Sequence, residues 1–292
     1  MRFKLRHTTA YRYAEQVDLA SHMLHLSPRR LPWQQVSDLR ILCEPTPVRT
    51  SVATDHFGNE AHWIFIDQPH ETLQVTAESV VDVVFPAAPA PEATPAWEDV
   101  VAQARIAGPR AWAAAEFIFA GPMVPNDQGA GPYVAASFPP GRPILAGLID
   151  VNARIKRDFA FRPLSTTITT SVARVMAQRA GVCQDFAHLM IAGLRALGIP
   201  ARYTSGYIRT YPQPGRPRRV GADVSHAWVG AWLGEAHGWV DLDPTNNLVV
   251  AEEHVVLGWG REFGDVSPLR GIILGGGAHD LAVSVDLAPL EP

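Results

Sequence analysis

From residue 181 to residue 200 the chain reads GVCQDFAHLMIAGLRALGIP. Phe186, Met190, Gly193 and Leu197 recur at the i, i+4, i+7, i+11 spacing of one helical face, and Gly198 with Pro200 supplies a stop signal. The spacing predicts a helix opened by a glycine-led turn, with Cys183 in its first turn. There the backbone N–H groups that lack an intrahelical partner, and the positive end of the helix dipole, favour a thiolate over a thiol. From position alone, a nucleophile and a small residue packed at a helix start are equal readings of Cys183. What decides between them is whether the rest of the chain brings a base and an orienting acid.

Downstream, ARYTSGYI (201–208), SHAWVGAWL (225–233) and GWVDLDPTNN (238–247) read as successive strands, separated by the turn-rich stretches YPQPGRPRR and GEAHG. His226 stands at the start of the second strand and Asp243 at the end of the third. An antiparallel pair joined by a short loop sets those two ends side by side. A helix N-terminus against that edge completes a Cys, His, Asp series. Asp241 shares a strand face with Asp243, and parity alone leaves open which of them orients the histidine. Trp228 shares the parity of His226 and is expected to pack beside its ring or to be simple core. Gln184, Asp185, Trp228 and Asp241 are therefore the candidates to support the three residues or to touch substrate. For Asp185 the favoured role is to satisfy first-turn backbone donors. His188, five residues after Cys183, points about 140° away around the helix and reads as a packing residue. His237, in the polar loop GEAHG, reads as solvated.

Upstream, FKLRHTTAYRY, DLRILCEP, AHWIFID and TLQVTAESVVDVVF carry strand patterning, so residues 1–85 read as a β-rich domain. Cys43, in the apolar strand end ILCEP, is expected to be structural. FPAAPAPEATPAW follows, and its proline and alanine bias suits a semi-rigid connector over residues 86–97. Residues 98–292 then form the second domain. In it WEDVVAQARIA and ILAGLIDVNARIKRDF are helical, the Gly- and Pro-rich stretch FAGPMVPNDQGAGPYVAASFPPGRP reads as irregular, and the tail GGGAHDLAVSVDL ends in a strand. No period of roughly 20 to 50 residues repeats.

The 292 residues, 47% of them apolar, suffice for two cores, and 25 basic and 29 acidic residues are well mixed along the chain. That mixture predicts neither nucleic acid nor an anionic membrane as partner. The charged N-terminus has no signal-peptide core and no run of roughly eighteen apolar residues occurs, so the expectation is a cytoplasmic protein. Two cysteines make no disulfide framework.

The three blocks GVCQDFAHLMIAGLRALGIPARYTSGY, SHAWVGAWL and GWVDLDPTNN, in this order and spacing, resemble the core of the transglutaminase-like superfamily. The likeness extends through REFGDVSPLRGIILGGG, and the first 85 residues are similar to the β-rich region that precedes this core in bacterial members. The resemblance implies a papain-like α+β fold in which helix-borne Cys183, strand-borne His226 and strand-end Asp243 act as nucleophile, base and orienter. The implied activity is cysteine-dependent acyl transfer on a protein or peptide amide through a thioester, by peptidase or amidase hydrolysis or by protein-glutamine transamidation, without cofactor or metal. The implied triad acid is Asp243, in the DPT block, with Asp241 in a surface or supporting place. Bacterial relatives often carry an aromatic hydroxyl in the segment that here reads FAFRP, and Phe161 has none to donate to an oxyanion. Two other classes remain to be weighed. A metal hydrolase built on Cys183, His226, His237 and the aspartates lacks HExxH or paired CxxC spacing. A non-catalytic binding module on the same fold would not need the three residues intact.

Overall fold

Period-two alternation at the N-terminus builds the first sheet. In the computed structural model, which describes residues 1–106, 109–125, 129–211 and 223–290, strand β1 (Arg2–Leu24) turns Phe3, Leu5, His7 and Thr9 inward. Around it β2 (Gln34–Glu44), β3 (Arg49–Thr54), β4 (Glu60–Ile66) and β5 (His70–Val83) pair antiparallel in the order β2-β5-β1-β4-β3. Residues 85–97 cross to the second half of the molecule as mostly extended chain, and the last of them, Trp97, already opens helix α1 (Trp97–Arg105). The crossing is tied down: Ile144 N–H donates to Pro95 O (2.8 Å) and Trp97 N–H to Arg142 O (3.0 Å).

Helices α2 (Pro109–Ala115), α3 (Ala130–Ala135) and α4 (Ile144–Asp158) follow, then β6 (Ala160–Phe161), α5 (Val172–Gln178) and β7 (Ala180–Gly181). Helix α3 lies inside the stretch expected to be irregular. Helix α6 (Cys183–Ala196) is the axis of the second core, and every residue from Asp185 to Arg195 is buried. Such depth needs small residues where neighbours come close: a Cβ on Gly193 would lie 2.2 Å from Val134 of α3. On the other side α6 packs on strands β8 (Ala201–Ile208) and β9 (Val224–Trp232) and α4 reaches β10 (Trp239–Asp243), with Tyr203, Ala227, Val229 and Leu242 in the shared core. Each large apolar side chain buried there contributes roughly 1.5–3 kcal/mol relative to exposure. With β11 (Leu248–Val249) and β12 (His254–Gly260) the sheet runs β11-β10-β9-β8-β12. This is the α+β arrangement expected from the three blocks.

The C-terminal boundary differs from the expected 98–292. Strands β13 (Leu269–Gly275) and β14 (His279–Pro289) both pair with β1 and belong to the first sheet. The physical reason is the length of β1. Its 23 residues pair with β5 and β4 on one side only, and β14 and β13 cover the open edge. Val285 and Leu287 are thereby buried with Phe3 and Leu5. Residues 126–128 of the stretch expected to be irregular, and the turn-rich stretch from 212 to 222, lie outside the described residues. Among the described residues no helix is long and apolar enough to cross a membrane.

Candidate active site

The turn before α6 explains the glycine that leads it. The Asp185 carboxylate folds back to accept from Val182 N–H and from the Thr166 hydroxyl, both at 2.7 Å. A Cβ at position 181 would lie 2.7 Å from Asp185 Oδ2, so only glycine leaves room for that carboxylate. Asp185 is therefore a helix cap, as expected, and burial raises its pKa above the ordinary carboxylate value despite the two donors. Gln184 donates to Ile168 O (3.1 Å) and helps Asp185 bind the 166–168 loop to the first turn. Cys183 is left half-buried at the helix start, where the N–H groups of the first turn have no intrahelical acceptor.

Strands β9 and β10 bring the other two residues to that point. Their antiparallel register pairs Leu242 with Val229, which places the end of β10 beside the start of β9. His226 Nε2–H donates to Asp243 Oδ2 at 2.7 Å, and the ring is also hydrogen-bonded to Cys183. With Nε2 taken by the carboxylate, Nδ1 is the nitrogen left for the thiol. Asp243 is fully buried and satisfied on both oxygens. Oδ1 accepts from Thr245 N–H (2.9 Å) and Asn246 N–H (3.2 Å), and Oδ2 also accepts from the Asn246 amide (2.7 Å) and from His254 Nε2 (3.4 Å).

The electrostatics follow from these contacts. Burial by itself would lower the His226 value, but the hydrogen bonds to Asp243 and Cys183 and their negative charges outweigh it and push it up to about 10. Burial would raise the Asp243 value, yet the donors from His226, His254 and Asn246 hold its carboxyl well below the usual carboxylate range. The site thus holds an imidazolium at neutral pH, with the Cys183 sulfur on one side of the ring and the buried carboxylate on the other.

The remaining candidates divide cleanly. Trp228 packs beside His226, with ring centroids 6.2 Å apart, and its Nε1–H donates to Asp241 Oδ2 (3.1 Å). Asp241 is buried rather than on the surface, because it faces the buried Arg202 guanidinium at 3.6 Å. Its hydrogen bond and ion pair engage those two residues. His188 is buried on α6, where Nε2 accepts from Phe263 N–H (3.2 Å) and the ring meets Tyr203. His237 is exposed in its loop and does not join the group. Phe161 is half-exposed and stands opposite Gly181 in the short β6–β7 pair, with no hydroxyl to offer. Sequence reasoning missed Asn246 and His254. Asn246 stands three residues after Asp243 in the quoted block, a spacing that suits a turn closing on its own carboxylate. His254 carries no local signal, since only the pairing of β12 with β8 brings it to the site. His226, Asp243 and His254 offer ligand atoms within 4.8 Å of one another, a spacing a divalent cation could also use.

Comparison with known proteins agrees with this fold. Residues 3–82 match the model of the bacterial transglutaminase-like N-terminal region, and residues 143–244 match that of the transglutaminase-like superfamily. The chain is 40% identical over 297 residues to the uncharacterized protein Rv2569c of Mycobacterium tuberculosis, covering 99% of this chain and 93% of that one. It is 41% identical over 81 residues to a protein-glutamine gamma-glutamyltransferase of Pseudomonas aeruginosa, an overlap of 27% of this chain and 12% of that one. Among solved structures, "a Putative Cysteine Protease from Cytophaga hutchinsonii" superposes with a TM-score of 0.74 at 20% identity, covering 100% of this chain and 92% of that one.

Proposed function

We propose, from the premise that this chain belongs to the transglutaminase-like superfamily, that it transfers acyl groups from a carboxamide, through a thioester on Cys183, to an amine or to water. The observation that carries the reading is the hydrogen-bonded series Cys183, His226, Asp243 at a helix N-terminus. The thiolate attacks the amide carbon of a glutamine side chain or a peptide bond, forming a C–S bond while the carbonyl electrons move to oxygen. The Cys183 backbone N–H, at the positive end of α6, is positioned to hold that oxyanion. His226 gives its Nδ1 proton to the leaving nitrogen, so that ammonia or an amine departs and the thioester remains. In the second half the neutral Nδ1 takes a proton from the incoming amine or water, and the C–S bond breaks to return the thiolate. Throughout, Asp243 keeps the other ring proton on Nε2 and stabilises the charged ring.

The 41% identity of an 81-residue stretch to a protein-glutamine gamma-glutamyltransferase supports a glutamine carboxamide as the acyl donor. The test is mass spectrometry after exposure to a library of glutamine peptides, with and without a primary amine such as cadaverine. The expected result is an acyl adduct on Cys183, absent in Cys183→Ala, followed by cadaverine incorporation or by deamidation or cleavage. No adduct and no product across the library would overturn the reading.

A further inference from the structure

One buried histidine near the triad has no part in the transfer just described. His254, on β12, is only 2% exposed, and its Nε2 faces the same carboxylate oxygen, Asp243 Oδ2, that receives His226. We propose that His254 is a positioning residue of this site: by filling the third side of Asp243 with a fixed donor, it holds the carboxylate in the rotation that serves Nε2 of His226.

The geometry gives this role a mechanism. A carboxylate turns easily about its last bond, because that torsion is broad rather than staggered. On Asp243, Oδ1 is pinned by two backbone N–H groups of the following turn, while Oδ2 depends on side chains alone. Two of these, Asn246 and His226, are the turn's own residue and the ring that must exchange protons. The third, the His254 ring, is held from a different strand, edge-on to Trp228 with centroids 5.2 Å apart and planes at 78°. Trp228 is held in turn by its bond to Asp241, and Gly206 makes room for it, because a Cβ there would lie 2.4 Å from the indole. The tautomer of His254 also has one good solution. A ring proton on Nε2 meets Asp243, whereas the buried Nδ1 has no hydrogen-bond partner among the described residues. The 3.4 Å separation is long for a strong bond, which fits a guide for the carboxylate better than a competitor for it.

The inference rests on the proposed function only for its consequence, and its test needs no substrate. Among the described residues, the charged or titratable groups that contact the His226 ring network are Cys183 from α6, Asp243 from β10 and, through Asp243, His254 from β12. Alkylation of Cys183 by iodoacetamide, followed against pH, should show a high-pH step where His226 gives up its proton, expected near 10 in the natural protein. In His254→Leu the step should move down by roughly one pH unit, the tenfold equivalent of weakening one charge-assisted contact. In His254→Gln, whose amide nitrogen restores a donor where Nε2 was, it should return to within about 0.3 of a unit. If His254→Leu does not fold, His254→Phe keeps the edge contact with Trp228 and removes the donor, and it carries the same expectation. A folded Leu or Phe variant with the natural step would overturn the proposal, as would a stoichiometric divalent metal in the natural protein that the variant has lost. Failure of the proposed acyl transfer would leave the alkylation step in place, so the two failures are distinguishable.

Discussion

Replacing Asp243 by asparagine tests the site more directly than removing the thiol, because it changes one charge and almost no volume. Asp243 accepts five donors, two on Oδ1 from the backbone and three on Oδ2 from side chains. An amide has one oxygen. If it stays with the two backbone N–H groups, the new NH₂ faces His226, Asn246 and His254, all of which are donors there. The His226 ring can then pair only by offering a lone pair at Nε2, which moves its proton to Nδ1 and removes the base that Cys183 needs. Losing one hydrogen bond to a charged group costs about 1.5–3 kcal/mol, or roughly 10- to 100-fold, before the wrong tautomer adds its share. In serine triads the same change costs on the order of 10⁴, and a preformed thiolate–imidazolium pair softens that figure. We expect Asp243→Asn to slow acyl-enzyme formation by about 10²–10³-fold. Asp241→Asn should remain within a few-fold of the natural rate, because the amide can still accept from Trp228. It should instead lower the melting temperature, because Arg202 would be left buried without its carboxylate, a loss of several kcal/mol for a broken buried pair. The assay is single-turnover thioester formation by mass spectrometry, with circular dichroism to establish that both variants fold. A folded Asp241→Asn that is the slower of the two would refute the assignment of the orienting role.

Four other outcomes follow from the same geometry. Burial pushes the Cys43 thiol up to about 11, so iodoacetamide at neutral pH should label Cys183 at least tenfold faster than Cys43, and peptide mapping of the labelled protein would detect the opposite order. The His226 value is raised above that of an unfolded histidine, so the stability it contributes is complete below about 6.5 and is lost as pH climbs towards about 10; the Asp243 value is depressed, so its contribution is lost only as pH falls below the usual carboxylate range. Denaturant titrations across pH should therefore show His226→Ala flattening the alkaline arm, and an unchanged alkaline arm would count against the raised value. Gly181→Ala would drive a methyl into the Asp185 carboxylate, so it should destabilise the fold by about 1–2 kcal/mol and slow Cys183 labelling, read from urea midpoints and alkylation rates. Gln34→Leu would orphan the Val256 N–H and leave Val256 O with the Arg29 N–H, so it should cost about 1–3 kcal/mol, and a loss below about 0.5 kcal/mol in the urea midpoint would show that water replaces the amide.

The sequence is most readable where function and local structure coincide. Cys183 could be placed because helix periodicity, the glycine before it and the stop signal after it are all local. His226 and Asp243 could be placed because strand ends and a short loop fix their proximity. What failed was non-local. Strand β12 reads HVVLGWG, a short apolar run that periodicity alone cannot assign, and its value to the site arises only when it pairs with β8. Strand β13 pairs with β1 across about 250 positions, so its place in the first sheet follows from an open edge that no local pattern announces. Asp241 illustrates the same limit from the other side. Parity puts it on the face of Asp243, but its burial is set by Arg202, four residues past the end of α6's stop signal at Gly198 and on a different strand.

The second sheet has an open edge too, and it bears on why the N-terminal sheet travels with this site. β12 is the last strand of the second sheet, and its outer side presents unpaired backbone groups. The N-terminal half covers them with side-chain amides that imitate a strand. Gln34 both donates to Val256 O and accepts from Val256 N–H at 2.8 Å, and Asn59 does the same for Trp259 at 2.8 and 3.0 Å. Arg29 adds a backbone bond to Val256 O, and its guanidinium lies 3.6 Å over the Trp259 ring, whose other contact of this kind is Arg202 at 3.7 Å. At about 1 kcal/mol for each hydrogen bond, the edge gains several kcal/mol that no strand of the second half supplies. The strand held in this way is the one that carries His254. Between the two anchored residues and His254 lie only Val255 and the bulge at Leu257 and Gly258, so the first sheet fixes the backbone from which the second imidazole reaches Asp243. A fold that needed the N-terminal sheet merely for solubility would have no reason to grip this strand at Val256, two residues from the histidine.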